Sequence, residues 1–424
     1  INDPEFNELT FVRPQLPDFS KLLTPTTALI EWYLPPDPDL GAYAFVVTLR
    51  DNQPHIELHP YTAAQRQALD AFNQAYFADF RQPRWYNNLA TRLHDLAQIL
   101  DLASLIELLP QPCQSLILIP HLYLHLFPLH ALPVVKDSET LPWQETIATG
   151  IRYAPSSQIL DYIHNRPQNT TAPQFFAIQN PTEDLPYTDL EIDTIRRNFD
   201  PNSYILSHAE ATKTALNAAE NLAQLRQSRL VHFACHGGFD SENPLNSALI
   251  LAGDTATPAK EGRSLTLRDG RRFDTSHQGL TLREIYANLE LRACRLVILS
   301  ACETGLLSSQ LTDEYIGLAS GFLYAGSPSV ISSLWCVDDF ATAFLTIRFY
   351  QEFTPTTPTA QAAKAAQSWM RQVSQADFLK WLQNDLKLPE KAFRNCRLRL
   401  RRRYKTNPPF SNPMYWSAFG AIGL

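Results

Sequence analysis

Four short and almost fully apolar runs, which alternate with helical segments, constrain the fold more than any other feature of this sequence. The runs are QFFAIQNP, RLVHFACHG, RLVILSACE and PSVISSLWCVDD, and all of them follow residue 173. The segments between them have the apolar spacing of helices. Strands that are apolar throughout and alternate with helices are typical of a parallel sheet covered on both faces. We therefore predict an α/β fold with a mostly parallel sheet flanked by helices.

The chain before residue 173 has a different order of predicted strands and helices. Its first part predicts two strands around a Pro-Asp turn, and two helical stretches follow. SLILIP and LYLHLFPLHAL then predict a buried strand and a hairpin, whereas the polar stretch GDTATPAKEGRSLTLRDGRRFDTSHQG, much later, predicts a surface excursion. A length of 424 residues suggests more than one domain. We divide the chain into a linker or cloning remnant, an N-terminal α/β module and a C-terminal α/β domain: 1–27, 28–172 and 173–424.

Composition and charge exclude several classes of partner. The net charge of −7 does not favour nucleic acid or an anionic membrane. No apolar run approaches the roughly 20 residues that span a bilayer. The six cysteines are scattered without close pairs, which predicts reduced thiols in a cytoplasmic protein. Because the chain begins with Ile1 rather than Met, we expect it to be part of a longer protein.

Reactive or charged side chains follow three of the four predicted strands. His236 follows the second apolar run, Cys302 the third, and Asp338 and Asp339 the fourth. In an open parallel sheet, ligands bind outside the carboxyl ends of the strands. An unpaired polar group costs roughly 2–7 kcal/mol inside a sheet, so three such groups at one edge indicate a site.

The residue types at these strand ends suggest acyl transfer. Cys302 would be the nucleophile, because a thiolate attacks acyl carbon well even when partly populated. His236 would be the general base and then the acid. The backbone N–H groups of Gly237 and Cys302 could form an oxyanion hole, in which one donor contributes about 3–4 kcal/mol in comparable enzymes. An acidic residue after the fourth strand could bind a basic substrate side chain.

Structural roles compete with these assignments. Buried cysteines are usually inert, and we assign that role to Cys113, Cys235, Cys294 and Cys336. His232 lies four residues before His236 on the same face and is predicted to be a hydrogen-bonded core histidine. A metal site made of these histidines and Cys302 would lack a fourth ligand, so we expect no metal and no cofactor. Asp338 or Asp339 could each be only the N-cap of the next helix.

Several longer motifs resemble the CHAT domain, a caspase-like domain associated with tetratricopeptide repeats and with the cyanobacterial regulator HetF. They are LVHFACHGGFD, SALILAG, LTLREIYANLELRACRLVILSACETG, DEYIGLASGFLYAGSPSVISSLWCVDD and NPMYWSAFGAIG. The resemblance extends from about residue 28 to residue 424. It implies a caspase–separase type cysteine peptidase with a caspase-hemoglobinase-like fold, in which His236 and Cys302 match the family's His-Gly and Ser-Ala-Cys-Glu-Thr-Gly motifs.

The resemblance also implies specificity, partners and organisation. In the related separases an Asp after the equivalent Leu-Trp strand lines a pocket for arginine, and Asp338 is its closest match, with Asp339 next to it. We therefore expect a protein substrate cut after a basic residue and a tetratricopeptide-repeat region or partner protein. A role in bacterial regulation such as heterocyst differentiation is also implied. Many members carry a degenerate protease-like module before the active one, and residues 28–172 could be that module.

Two further hypotheses concern interactions rather than catalysis. The polar loop LLSSQLT between Cys302 and Asp313 could hold the thiol away from His236 until a partner binds, which would make the chain a gated or inactive scaffold. The cluster RNCRLRLRRRYK, residues 394–405, could bind nucleic acid. We prefer a solvated basic face, because its only aromatic residue is Tyr404.

Overall fold

A computed structural model describes residues 17–80, 82, 84–166, 174–240, 242–253, 264–267, 270–301 and 317–424. The described strands are, in chain order, β1 (Thr27–Tyr33), β2 (Ala42–Arg50), β3 (Gln53–Tyr61), β4 (Ser115–Ile119), β5 (Pro133–Lys136), β6 (Glu139–Pro142), β7 (Ile151–Tyr153), β8 (Phe175–Gln179), β9 (Ser203–Ser207), β10 (Leu230–Ala234), β11 (Gly237–Gly238), β12 (Ala248–Ile250), β13 (Ser264–Thr266), β14 (Arg272–Asp274), β15 (Gly279–Thr281), β16 (Leu296–Ser300), β17 (Ser329–Ser333) and β18 (Phe419–Gly423).

The described α-helices lie mainly between these strands. They are α1 (Phe19–Leu22), α2 (Ala63–Phe80), α3 (Leu89–Ile99), α4 (Leu102–Glu107), α5 (Ser157–His164), α6 (Pro186–Ile195), α7 (Lys213–Leu216), α8 (Ala219–Gln227), α9 (Thr275–Gln278), α10 (Leu282–Asn288), α11 (Leu318–Tyr324), α12 (Asp339–Glu352), α13 (Thr359–Gln372), α14 (Gln375–Asn384) and α15 (Glu390–Arg403). None of the helices in the described part of the chain is long and apolar enough to cross a membrane.

One sheet of eleven strands runs through the described molecule, in the order β3-β2-β1-β4-β7-β18-β17-β16-β10-β8-β9. Strand β18 is parallel to β7 on one side and antiparallel to β17 on the other. The sheet therefore has an N-terminal half (β1, β4, β7 and β18) and a C-terminal half (β17, β16, β10, β8 and β9) whose strands point in opposite directions. The four apolar runs of the sequence are β8, β10, β16 and β17, and all four are fully buried.

The strands of both predicted modules belong to this one sheet. A single cluster of buried apolar side chains extends from Ala28 in β1 to Ile422 in β18. Strand β18 comes from the end of the chain but pairs with β7 of the N-terminal module. The division at residues 172 and 173 lies outside the described residues and remains a prediction.

Two local expectations for the first 172 residues were wrong. The predicted pair of early strands is a set of three, because Asp51 and Asn52 adopt positive φ angles of 52° and 59° and join β2 to β3 in a tight hairpin. The stretch LYLHLFPLHAL is not a hairpin. It forms two 3₁₀ turns, Leu122–Leu126 and Leu129–Ala131, separated by Pro128, and the hairpin β5–β6 follows it. Proline supplies no N–H for a strand ladder.

The polar segment before α9 is only partly the surface excursion that we expected. Its described residues form the hairpin β13–β14. Leu265 and Phe273 of this hairpin are buried against Ala248 and Ile250 of β12 in a small separate core. Leu265 also lies so close to Gly238 that a Cβ at residue 238 would come within 2.9 Å of it. The hairpin therefore packs over the segment that follows β10.

Candidate active site

The carboxyl ends of β10 and β16 lie side by side in the C-terminal half of the sheet. Their parallel register pairs Ala234 with Ser300, so His236 and Cys302 each come two residues after a paired position. Cys302 itself lies outside the described residues. Ala301, which directly precedes it, is buried, and its carbonyl accepts a hydrogen bond of 2.7 Å from the Ser333 hydroxyl of β17. Three neighbouring strands are thereby joined at this edge.

The His236 ring contacts a carboxylate and a guanidinium group that come from two different parts of the chain. Its Nε2 atom lies 3.0 and 3.1 Å from the two carboxylate oxygens of Asp184, which follows β8. Arg271, which directly precedes β14, places Nη2 3.1 Å from the same Nε2 atom. Arg271 Nη1 also donates a 2.5 Å hydrogen bond to Asp184 Oδ2. The three side chains form a closed triangle around one ring nitrogen.

The Asp184 carboxylate is charged in this triangle. Burial opposes its ionisation, but hydrogen bonds from Thr182, His236 and Arg271 and the electrostatic attraction of the neighbouring His236 outweigh that effect, and the pKa of Asp184 is lowered. An imidazole nitrogen either donates or accepts a hydrogen bond. His236 Nε2 can therefore donate to Asp184, which leaves Nδ1 as a base, or accept from Arg271, which places the proton on Nδ1.

A small cavity of about 30 Å³ joins His236 to the ends of the other strands. Ala301, Ser333 and Asp339 line it together with His236. The His236 side chain is only 11% exposed, so this cavity is a largely dehydrated environment in which charges interact more strongly than in water. Of the groups predicted at the three strand ends, His236 and Asp339 line the cavity. The third, Cys302, is represented by Ala301, the residue before it.

Asp338 and Asp339 have different surroundings although they are adjacent. Asp338 caps α12 by accepting a hydrogen bond from the Phe340 N–H, and it also accepts bonds of 2.8 Å from Arg399 and 2.5 Å from the Tyr404 hydroxyl. Asp339 lines the cavity at His236, and burial followed by the charge of Asp338 raises its pKa. Asp338, the closer match by resemblance, does not line this cavity.

The predicted oxyanion hole is described only in part. Gly237 begins β11 and pairs with Leu249 of β12, so its backbone is held directly after His236. The other predicted donor is the N–H of Cys302, which lies outside the described residues. The role of both donors remains a prediction.

Three of the four cysteines to which we assigned buried, inert roles have the environment of such a thiol, and the assignment was wrong for Cys336, because its side chain is exposed. Burial raises the pKa of Cys235 and Cys294 to about 12 and that of Cys113 to about 11. Burial likewise raises the pKa of Cys396 to about 12.

His232 is a core histidine, as predicted. It is fully buried, and its Nε2 lies 3.0 Å from Glu191 Oε1 of α6, which is also fully buried. The Ser300 hydroxyl donates a 3.1 Å hydrogen bond to the other Glu191 oxygen. Within the described part of the chain, no cluster of three or more His, Cys, Asp or Glu side chains could hold a metal ion.

Sequence reasoning missed Asp184 and Arg271. Asp184 carried a signal that could have been used, since it follows a buried strand by a few residues, as His236 does. Arg271 carried none, because it comes from a polar segment whose folding over β10 depends on Leu265 and Phe273.

Comparisons with known proteins identify a matching family and similar solved structures. The CHAT domain matches residues 89–424. No curated protein matches the chain. Saccharomyces cerevisiae separase, solved with securin, has a TM-score of 0.51 and 11% identity over 83% of this chain and 29% of the separase chain. This chain therefore corresponds to less than a third of that separase.

Two further structures have lower similarity. The Arg-specific cysteine proteinase gingipain R has a TM-score of 0.37 and 9% identity over 80% of this chain and 67% of its own. The complex of the Porphyromonas gingivalis RgpB pro- and mature domains has a TM-score of 0.38 and 8% identity over 73% and 64%. The fold class is confirmed: a caspase-hemoglobinase-like, mostly parallel sheet flanked by helices.

Proposed function

Since the chain belongs to the CHAT domain family, we propose that it is a cysteine endopeptidase with Cys302 as the nucleophile and His236 as the general base. One observation carries the proposal. His236, its carboxylate partner Asp184 and Ala301, the residue before Cys302, meet at the carboxyl edge of one half of the sheet. A histidine oriented by a carboxylate beside a nucleophile is the arrangement that activates a thiol.

The proposed reaction has two half-reactions. His236, with Nε2–H directed at Asp184, takes the Cys302 proton at Nδ1, and the thiolate attacks the carbonyl carbon of the scissile peptide bond. When the tetrahedral intermediate collapses, the C–N bond breaks and His236 gives its proton to the leaving amine. Water, deprotonated by His236, then hydrolyses the thioester and restores the thiol.

The oxyanion of each tetrahedral intermediate would be stabilised by backbone donors. Gly237 follows His236 in a strand whose position is set by pairing with β12. We propose its N–H and that of Cys302 as the two donors, each worth about 3–4 kcal/mol of transition-state stabilisation.

We propose that the substrate is cut after a basic residue and that Asp339 recognises it. The support is the position of Asp339 in the cavity beside His236. Asp338 has a hydrogen bond to Tyr404 and ion pairs with Arg399 and Arg403 at 2.8 and 3.3 Å, so its charge is already compensated inside the chain. A buried acid with such partners is a poor receptor for a further cation.

A gated form of the same site is the second candidate, and Arg271 favours it. Its guanidinium is within hydrogen-bond distance of both the Asp184 carboxylate and His236 Nε2. In the tautomer that accepts from Arg271, His236 carries its proton on Nδ1 and cannot deprotonate Cys302. The predicted gating loop LLSSQLT and Asp313 lie outside the described residues. In this form the chain would act through protein contacts until a partner displaces Arg271.

The wider role is proposed from the comparisons with known proteins. A protein substrate in the cytoplasm, a tetratricopeptide-repeat region or partner, and an HetF-like part in bacterial regulation such as heterocyst differentiation are all consistent with a CHAT domain. The separase match was solved with the partner securin, which supports regulation by a bound protein.

Cleavage of a mixed peptide library, followed by mass spectrometry, tests the activity. The intact chain is expected to cut after Arg or Lys, and Cys302→Ala is expected to cut nothing. Cys336→Ala is the matched control, because it removes an exposed thiol and should leave cleavage unchanged. Cleavage that persists in Cys302→Ala would contradict the proposed nucleophile.

A further inference from the structure

A large open groove lies between α6 and α15, outside the cavity at His236. It encloses about 1000 Å³. Among the described residues, four arginines line it, namely Arg197 from the segment after α6 and Arg399, Arg402 and Arg403 from α15, whereas Asp193 is the one acidic residue in that lining. Its remaining surface is mainly apolar, with Leu190, Leu388 and Pro389 among the lining residues. The groove is therefore both cationic and able to bury apolar side chains.

Two of these arginines differ from the other two in their partners among the described residues. Arg399 and Arg403 pair with Asp338. No ion pair or hydrogen bond joins the side chain of Arg197 or Arg402 to any residue that the structure describes, and Arg402 is exposed. Cations that converge on a groove in a chain of net charge −7 are a local exception to the overall charge. They attract an anionic ligand to this place rather than to the surface in general.

The groove is connected to the candidate active site through two of its residues. The Tyr187 ring packs edge-on against the ring of Phe340 with 4.9 Å between centroids, and Asp339, directly before Phe340, lines the cavity at His236. Arg399 lies 3.4 Å from Asp339 and 5.5 Å from the centre of the Tyr187 ring. The groove therefore adjoins the cavity at His236.

We propose that this groove binds an acidic segment of the protein substrate, with Asp or Glu side chains on Arg197 and Arg402 and interspersed apolar side chains on Leu190 and Leu388. The name of the occupant rests on the proposed peptidase function. The binding itself does not, since none of these residues belongs to the His236 triangle. Such a site would select one protein from many that contain the same cleavage sequence.

The same arginines do not make a good nucleic-acid site. Tyr404, the aromatic residue of the basic cluster, is 2% exposed and its hydroxyl is bound to Asp338, so it offers no surface on which a base could stack. The apolar floor of the groove suits leucine-like side chains better than phosphates.

Fluorescence anisotropy with a labelled Glu/Leu copolymer peptide tests the binding. Arg402→Glu is expected to weaken binding about tenfold, and Arg197→Glu to a similar extent. Arg394→Glu is the matched control, because Arg394 is exposed on the same helix but does not line the groove, and it should bind as the intact chain does. Equal losses of affinity in Arg394→Glu and Arg402→Glu, or no binding by the intact chain, would overturn the proposal that the groove binds an acidic peptide. Tighter binding of a labelled single-stranded oligonucleotide than of the peptide would overturn it in favour of nucleic acid.

A second assay separates this inference from the proposed function. An arginine peptide extended with the same Glu/Leu segment should have a lower KM than one extended with a Gln/Leu segment. The difference should disappear in Arg402→Glu and persist in Arg394→Glu. Peptide binding without a difference in KM would overturn the substrate role of the groove. If neither peptide is cut, the peptidase function fails, while the anisotropy measurement still decides whether the groove binds acidic peptides.

Discussion

His130 and His236 are buried histidines in the two halves of the sheet, yet only one has the surroundings of a base. His130 lies in the 3₁₀ turn Leu129–Ala131 between β4 and β5, and His236 lies two residues after β10. His130 is 2% exposed, and its Nδ1 lies 2.8 Å from the Tyr153 hydroxyl, within hydrogen-bond distance. His236 faces the carboxylate of Asp184, the guanidinium of Arg271 and a cavity.

The difference teaches that a buried histidine has the surroundings of a base only when a carboxylate and a cavity lie next to its ring. Burial lowers the pKa of His130 to about 3, and no charged group compensates it, so it stays neutral. Its Nε2 atom has no hydrogen-bond partner among the described residues. In the proposed function, the C-terminal half therefore contributes the chemistry, whereas the N-terminal half packs against β18.

Removing each histidine in turn should give the largest contrast. His236→Ala is expected to lower kcat/KM for an arginine peptide by about 10³-fold, because proton transfer from the thiol is lost. His130→Ala should lower the free energy of unfolding and leave kcat/KM per folded molecule unchanged. Circular dichroism defines the folded fraction for both variants. A large loss of kcat/KM in His130→Ala would mean that the two halves share the chemistry.

Asp184→Asn tests whether the carboxylate distinguishes the two histidines. Loss of the negative charge should lower kcat/KM about 10²-fold, since the ring is less well oriented and its cationic form less stabilised. Asp189→Asn is the control, because Asp189 also follows β8 but contacts His208, Gln179 and Asn180 rather than His236. Equal losses in both variants would assign Asp184 a structural role only.

Acid should destabilise the fold through His130. The unfolded chain binds a proton below about pH 6.5, whereas folded His130 does not until about pH 3. The free energy of unfolding is therefore highest near pH 7 as far as His130 is concerned, and it falls as the pH falls toward 3. At pH 5 the loss relative to pH 7 is about 2 kcal/mol.

Urea unfolding of His130→Asn checks this value, because an asparagine amide can either donate to or accept from the Tyr153 hydroxyl but does not titrate. The variant should lose about 2 kcal/mol less than the intact chain between pH 7 and about pH 5. The same loss in both chains would show that His130 is charged in the folded state.

Asp338 and Asp339 should differ in what their replacement changes. Asp339→Asn is expected to raise KM about tenfold for arginine peptides relative to a neutral one, because a partly desolvated charge pair is lost. Asp338→Asn should instead lower the free energy of unfolding by about 1 kcal/mol through its cap and its bond to Tyr404. The reverse pattern would assign specificity to Asp338.

The sequence predicted the C-terminal half better than the N-terminal half for a physical reason. Fully buried parallel strands such as β10 and β16 must be apolar throughout, so their ends are visible as the first polar residues, and His236 was found in that way. The segment 122–131 is equally apolar but lies in 3₁₀ turns, and periodicity cannot separate the two cases. Asp184 and Arg271 were missed because long-range packing brings them to His236 across 52 and 35 residues.

Labelling with a thiol-directed probe that carries arginine, followed by mapping of the modified residue, tests the central claim most directly. The account predicts one modified site, Cys302, with labelling lost in Cys302→Ala and His236→Ala and kept in Cys336→Ala and His130→Asn. A folded intact chain that resists the probe, or a label that persists in Cys302→Ala, would contradict it.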